Sequence, residues 1–194
     1  MLIRLAAIND AEQILGIYSP YVENTAISFE ISSPSLEEME KRIQRLSTNY
    51  PWIVFEDGNQ ILGYAYASAH HERAAYRWAV DVSIYVKQNS RGGGIGKALY
   101  SSLLSILRLQ GYYNAYAIIT MPNDASVGIH EYFGFRKAAQ FSNVGYKFGK
   151  WHDVGWWELF LEQHDANPEE PLAISNIDQK RLFIATGDGS RVSH

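Results

Sequence analysis

Arg91-Gly92-Gly93-Gly94-Ile95-Gly96-Lys97 stands between an apolar, β-branched run, Val80 to Val86, and an amphipathic run from Ala98 to Leu107. Strand, glycine turn and helix in series make a cradle for an anion. Glycine takes left-handed backbone angles and lets a ligand approach the main chain closely, so unpaired N–H groups and the positive end of the helix dipole meet at one phosphate-sized volume. Arg91 and Lys97 add counter-charge. Spacing separates the kinds of phosphate turn. A Walker loop needs Gly, four residues, Gly-Lys and then Ser or Thr, but Lys97 is followed by Ala98 and the first glycine position holds Arg91. A dinucleotide turn, Gly-x-Gly-x-x-Gly, ends on Lys97 when started at Gly92 and on Leu99 when started at Gly94.

The chain has 194 residues, of which 46% are hydrophobic and 20% charged, enough for one well-buried α/β domain and short for two. A formal charge of −4 supplies no global basic field, so neither nucleic acid nor an anionic membrane surface is an expected partner. With no cysteine, disulfides, thiolate metal sites and a cysteine acyl-enzyme are excluded. Met1 to Ala7 places Arg4 among apolar residues and soon meets Asn9, Asp10 and Glu12, unlike the apolar core of a signal peptide or membrane span. A soluble cytoplasmic protein is the expectation.

Leu2 to Ala6 reads as a first strand, and Asn9 with Glu12 gives a capping-box start to a helix through Ile14 and Ile17 that Pro20 ends. Ser35 with Glu38 opens a second helix, with Leu36, Met39, Ile43 and Leu46 as its apolar stripe. The loop between them, Ala26 to Ser33, carries Phe29 and Glu30. Trp52 to Phe55 and Ile61 to Ala67 flank Asp57-Gly58-Asn59 and read as a hairpin. Val80 to Val86 is the fourth strand. After the glycine turn, Ile95, Leu99, Leu103 and Ile106 share one helix face, and Gly111 ends the helix. Tyr113 to Thr120 is a further strand, and a short helix runs from Asn123 and Asp124 through His130 and Tyr132 to Gly134. Phe141 to Trp151 and Val154 to Leu161 are aromatic-rich strands joined near His152 and Asp153. From Glu162 onward Asp165, Asn167, Pro168, Glu169, Glu170 and Pro171 change the composition, so one domain is expected over 1–161 and a tail over 162–194.

Arg or Gln, two residues, Gly, one residue, then Gly or Ala describes Arg91, Gly94 and Gly96. That spacing resembles the acyl-coenzyme A pyrophosphate loop of the GCN5-related N-acetyltransferases, and the order of elements is similar to theirs over nearly all of 1–161. Several local runs narrow the resemblance to phosphinothricin and methionine sulfoximine N-acetyltransferases. They are Ser28-Phe29-Glu30, Ala75-Tyr76-Arg77-Trp78, Ser83-Ile84-Tyr85-Val86, Pro122-Asn123-Asp124, His130-Glu131 with Gly134-Phe135, and Gly145 through Asp153.

The resemblance implies an α/β (α+β) fold with a mixed, mostly antiparallel sheet, splayed at strands four and five and flanked by helices. Acetyl-coenzyme A would be the cosubstrate, its diphosphate on Arg91, Gly92, Gly93, Gly94, Ile95, Gly96 and Lys97. Its pantetheine would lie along Ile84, Tyr85 and Val86, with Asn123 near the sulfur; a plain helix cap is the other role open to Asn123. Asp81 stands where the family has a Glu close to the amine. The shorter arm makes a bridging water part of the expected proton route, and the alternative is a carboxylate held by backbone or by Arg77. His130 falls where this subfamily has a histidine near the leaving thiolate, and otherwise serves as a structural residue. On the acceptor side the resemblance implies Phe29, Glu30, Arg73 and Tyr76, with Phe29 and Tyr76 as walls and Arg73 on an acidic group. The family often has a Lys in this segment, and here His70, His71 and Glu72 surround Arg73 instead. Those three are adjacent and point apart with no third ligand at helical spacing, so no metal is expected.

The implied reaction is direct transfer in a ternary complex to the α-amine of a small acidic amino-acid analogue such as phosphinothricin, methionine sulfoximine or methionine sulfone. A peptide N-terminus, a polyamine or a drug amine stays open as acceptor, as does a non-catalytic coenzyme A-binding module. The aromatic strands with Trp151, Trp156 and Trp157 can be plain core, but in the resembling family the corresponding strands contribute to a homodimer, so the resemblance implies a homodimer here.

Overall fold

The computed structural model describes residues 1–187. Strands β1 (Leu2–Leu5), β2 (Trp52–Asp57), β3 (Gln60–Ala69), β4 (Ala79–Val86), β5 (Asn114–Met121), β6 (Arg136–Lys147) and β7 (Lys150–Phe160) form one sheet in the order β1-β2-β3-β4-β5-β7-β6. The helices are α1 (Ala11–Asn24), α2 (Leu36–Leu46), α3 (Ile95–Gln110), α4 (Asp124–Tyr132) and α5 (Gln179–Thr186). β4 and β5 run parallel, and the other neighbouring strands pair antiparallel. The mixed, mostly antiparallel sheet expected from the sequence is therefore present.

Alternation along the strands divides the core into two layers. Ile53, Phe55, Ala65, Ala67, Val80 and Val82 point to the side covered by Leu99, Leu103 and Leu107 of α3. Trp52, Val54 and Tyr64 point to the opposite side, against Ile14 and Ile17 of α1 and Met39 and Ile43 of α2. Register fixes which side chains can react: because Val80 and Val82 belong to the α3 side, Asp81 between them faces the α1–α2 side.

Local chemistry departs from the expected boundaries in three places. Asn9 does not cap α1. It lies in a short 3-10 turn, Ile8–Asp10, and the Asp10 carboxylate closes that turn by accepting from Ala7 N–H at 2.7 Å while Arg4 donates to it at 2.6 and 2.9 Å. Pro20 sits inside α1 instead of ending it. An interior proline costs about 3 kcal/mol, whereas burying Tyr21 and Val22 just beyond it stabilises by about 1.5–3 kcal/mol each. The last hairpin turns at Phe148 and Gly149, both at positive φ (50° and 75°), so His152 and Asp153 lie within β7 and not at the turn. The Ser35 cap stands as expected, its hydroxyl accepting from Glu38 N–H.

Beyond Glu162 the chain returns across the α3 side. Leu172 N–H bonds Gln110 C=O at 2.8 Å, Ile174, Ile177 and Leu182 are buried, and α5 packs on α3 with Phe183 and Ile184 exposed. Residues 188–194 of the expected tail lie outside the described residues.

Leu103 is completely buried beneath the sheet. Leu103→Ala is expected to lower stability by about 3 kcal/mol, read as a lower urea midpoint with an unchanged slope.

Candidate active site

β4 and β5 are paired only from Ala79–Asn114 through Asp81–Tyr116, and beyond that rung they diverge. Lys87 N–H bonds Leu62 C=O at 2.8 Å and His70 N–H bonds Ala79 C=O at 3.3 Å. Since antiparallel pairing alternates, the odd-numbered residues of β4 bond to β3, and the amides of Ile84 and Val86 face the gap. Tyr85 is directed to β3 and closes an aromatic cluster with Tyr18, Tyr21 and Tyr64. Of the three β4 residues expected along the ligand, Ile84 and Val86 thus have main-chain amides facing the gap. The Tyr85 main chain is engaged elsewhere.

The glycine turn opens into the same gap. A cavity of about 600 Å³ is lined by Ile84 and Val86, by Arg91, Gly92, Gly94, Ile95, Gly96 and Lys97, and by α4. Gly93 alone of the expected loop residues does not line it. Gly92 and Gly94 have φ of 86° and 77°, and Gly94 is the N-cap of α3, so the first turn of that helix presents unpaired N–H groups. A Cβ on Gly96 would meet Ile129 Cδ1 at 2.9 Å. Arg91 Nη2 donates to Tyr21 Oη at 2.9 Å, and Tyr21 Oη donates to Val86 C=O at 2.5 Å. This relay occupies the one Val86 group facing the gap that cannot donate. Lys97 Nζ lies 3.7 Å from the centre of the Tyr132 ring, held on α4 by a cation–π contact. Cation, glycine amides and bare strand edge are what a long diphosphate-bearing ligand requires.

α4 borders the gap through its N-terminus. Asn123 Oδ1 accepts from Ser126 N–H at 3.2 Å, so the cap role is real, and its Nδ2 has no protein partner among the described residues. His130 is 3% exposed. Its Nδ1–H donates to Ser126 C=O at 2.6 Å, which fixes the tautomer, and its Nε2 accepts from Tyr100 Oη at 2.6 Å. Burial holds the imidazole below its ordinary pKa, against the Ser126 carbonyl, which raises it. Both nitrogens of His130 are thus hydrogen-bonded within the protein, while the residue itself lines the gap beside Ile84 and Asn123. It fastens α4 to α3.

At the closed end of the gap stands Asp81, and its partner is His70, not Arg77. Oδ1 of Asp81 lies 2.7 Å from His70 Nδ1, with the two side chains 26% and 10% exposed. Burial raises the Asp81 carboxyl above the ordinary range, and His70 acts to lower it. Arg77 pairs instead with Glu170, and the Trp78 indole donates to Glu169 C=O at 2.7 Å. His70 stacks on Tyr116 at 4.3 Å and meets Trp156 edge-on at 5.6 Å.

Across from this pair is the loop between α1 and α2. Lys147 Nζ is buried and donates to Val22 C=O at 2.6 Å and Ser28 C=O at 2.8 Å, tying the loop to the end of β6. Phe29 packs on Gly145 so closely that a Cβ there would meet its ring at 2.1 Å, which leaves Phe29 37% exposed at the rim. Glu30 accepts from Arg42 Nη1 at 2.6 Å and from Tyr18 Oη at 3.0 Å, so its carboxylate serves the loop's own anchoring. Tyr76 is half-exposed beside His71, 4.8 Å between ring centres. Arg73 is exposed and has no ion-pair partner among the described residues.

A family model described as an acetyltransferase (GNAT) domain matches residues 3–156. The chain belongs to the GNAT acetyltransferase family. It is similar to phosphinothricin N-acetyltransferase of Streptomyces viridochromogenes, 35% identical over 177 residues, covering 91% of this chain and 94% of that protein. It is also similar to the L-methionine sulfoximine/L-methionine sulfone acetyltransferase of Pseudomonas aeruginosa, 33% identical over 86% of this chain and 98% of that one. Among solved structures, a phosphinothricin acetyltransferase from Sinorhizobium meliloti in complex with acetyl-coenzyme A superposes with a TM-score of 0.84. Identity there is 33%, over 90% of this chain and 96% of the other.

The structure also places at this site residues that the sequence did not single out for it, Tyr21 and His70. Tyr21 had no signal beyond its helical phase. His70 had one: once the hairpin register pairs Ser68 with Asp81, a residue two further along β3 lies diagonal to the carboxylate on the same face. A side chain at Gly94 would be forced into the left-handed region. Gly94→Val is expected to weaken acetyl-coenzyme A binding by at least about tenfold, equal to about 1.4 kcal/mol, in isothermal titration.

Proposed function

We propose that this acetyltransferase moves the acetyl group of acetyl-coenzyme A directly, within a ternary complex, to the α-amine of a small acidic amino-acid analogue of the phosphinothricin, methionine sulfoximine or methionine sulfone type. The observation that carries this reading is the gap between β4 and β5, with phosphate-binding groups at one end and the Asp81–His70 pair at the other. The thioester supplies an activated carbonyl. Main-chain N–H groups of the Gly92–Lys97 turn hold the diphosphate, with Arg91 and Lys97 as counter-charge. The amides of Ile84 and Val86 bind the pantetheine and its acetyl oxygen, fixed dipoles that need no reorganisation as charge develops. Asn123 donates from Nδ2 into the gap near the sulfur. An α-ammonium has no lone pair, so the reaction needs a proton acceptor at the acceptor's end of the gap, and Asp81 supplies the carboxylate there.

Phe29 and Tyr76 wall the acceptor side chain, and Arg73, with its guanidinium free, takes the carboxylate or phosphinate. Glu30 shapes this wall through the α1–α2 loop. The relatives' substrates support the same choice, since the protein from Streptomyces viridochromogenes is a phosphinothricin N-acetyltransferase and that of Pseudomonas aeruginosa acts on L-methionine sulfoximine and L-methionine sulfone. The reading includes a catalytic domain over 1–161 with 162–194 as its extension, and a cytoplasmic homodimer. For the dimer, the support is the exposed strip of Phe141, Val144, Tyr146, Phe148 and Trp151 on the β6–β7 hairpin. No helix among the described residues is long and apolar enough to cross a membrane.

Coenzyme A release measured over a panel of free amino acids, peptides, polyamines and drug amines tests the proposal. Activity is expected on the acidic analogues, and activity on peptides alone would reject the acceptor. Asp81→Asn is expected to lower kcat by about 10²-fold or more with little change in acetyl-coenzyme A affinity. Arg73→Met is expected to raise KM for the acidic acceptor by about tenfold, the size of one charge-assisted contact of about 1.5 kcal/mol, with kcat nearly kept.

A further inference from the structure

We propose that the group which takes the proton from the acceptor amine is Nε2 of His70, and that Asp81 acts behind it as the residue that orients the ring. The inference rests on the acetyltransferase reading above and adds a residue to it. Its basis is geometric. The 2.7 Å contact leaves one arrangement in which an ionised Asp81 is satisfied: Nδ1 of His70 carries the hydrogen and donates it, and Nε2 keeps its lone pair. Nε2 has no protein partner among the described residues, in contrast to His130, whose nitrogens are both taken. The ring cannot easily rotate, because Tyr116 stacks on one face at 4.3 Å and Trp156 and His71 meet it at 5.6 and 4.5 Å.

Position agrees with this role. Asp81 and Tyr116 form the final rung before the strands part, and the imidazole lies against both of them, on the paired side of that rung. It lies on the face toward which the α1–α2 loop presents Phe29. Aspartate has a short arm, and the Asp81 oxygen that bonds Nδ1 is already engaged, whereas the His70 ring keeps a second nitrogen with no partner among the described residues. Burial of Asp81 disfavours its charge unless a donor such as His70 is present.

The proton balance is simple. Two protons leave the acceptor nitrogen. The first passes to Nε2 and then to water, freeing the lone pair that forms the C–N bond to the thioester carbon. As the C–S bond breaks its electron pair goes to sulfur, and the thiolate takes up a proton equivalent to the second one lost by nitrogen. The titratable groups facing His70 are Asp81 on β4, His71 and Tyr76 on the following loop, and Tyr116 on β5, with Glu158 of β7 beside Tyr116. A protonated Nε2 has no lone pair with which to take up a proton, so neutral His70 is the active form.

The test compares pH profiles of kcat/KM for the full chain, His70→Gln and His70→Ala, with acetyl-coenzyme A titration confirming that each variant retains a formed cofactor site. In the wild type an acid limb is expected. In His70→Gln that limb should vanish and kcat should fall by about 10²-fold, with cofactor affinity within threefold of about the wild-type value. Added imidazole should restore part of the rate to His70→Ala, more at higher pH. A wild-type rate and profile in His70→Gln would overturn the proposal and leave Asp81 as the direct acceptor. A wild-type protein inactive on every amine would overturn the functional reading and this proposal with it.

Discussion

Everything functional in this chain depends on two neighbouring strands ceasing to pair. Up to Asp81–Tyr116, β4 and β5 satisfy each other's main chain; past it, the amides of Ile84 and Val86 have no strand to bond. Unpaired peptide groups inside a protein are costly. In the proposed reading these same groups receive the ligand that runs between the strands, which offsets that cost. The rest of the molecule holds the separation open: α3 and α4 line one side, Tyr21 satisfies the Val86 carbonyl, and the Lys147 ammonium fixes the loop opposite.

Specificity and chemistry are separated along this gap. Toward the glycine turn the groups are main-chain amides and two cations, insensitive to what is being acetylated. Toward the apex they become side chains from different elements, namely Asp81, His70, Tyr76, Tyr116 and Phe29, which in the proposed reading lets the acceptor change without disturbing the donor end. His130 lines the cleft, and its hydrogen bonds to Tyr100 and Ser126 engage both nitrogens within the protein.

Local signals made much of this legible in the sequence. The glycine turn, the Ser35 and Asn123 caps and the apolar face of α3 each depend on neighbours a few residues apart, and each formed as read. What failed depended on distant partners. The extent of α1 past Pro20 is set by burial under β4 and β3, and the Asp10 turn by Arg4. The last hairpin was misjudged because Phe148 takes a positive φ without the residue type that usually announces it. The His70–Asp81 pair was illegible for a similar reason: adjacent histidines invite a metal reading, and only cross-strand register brings one of them to the carboxylate.

The contacts of Arg77 and Trp78 with Glu170 and Glu169 carry a mechanical consequence. The short segment bearing Arg73 and Tyr76 is gripped from outside by chain that lies some ninety residues away. That segment is therefore braced from outside by chain beyond Glu162, and shifting it outward means breaking its contacts at the indole and the guanidinium.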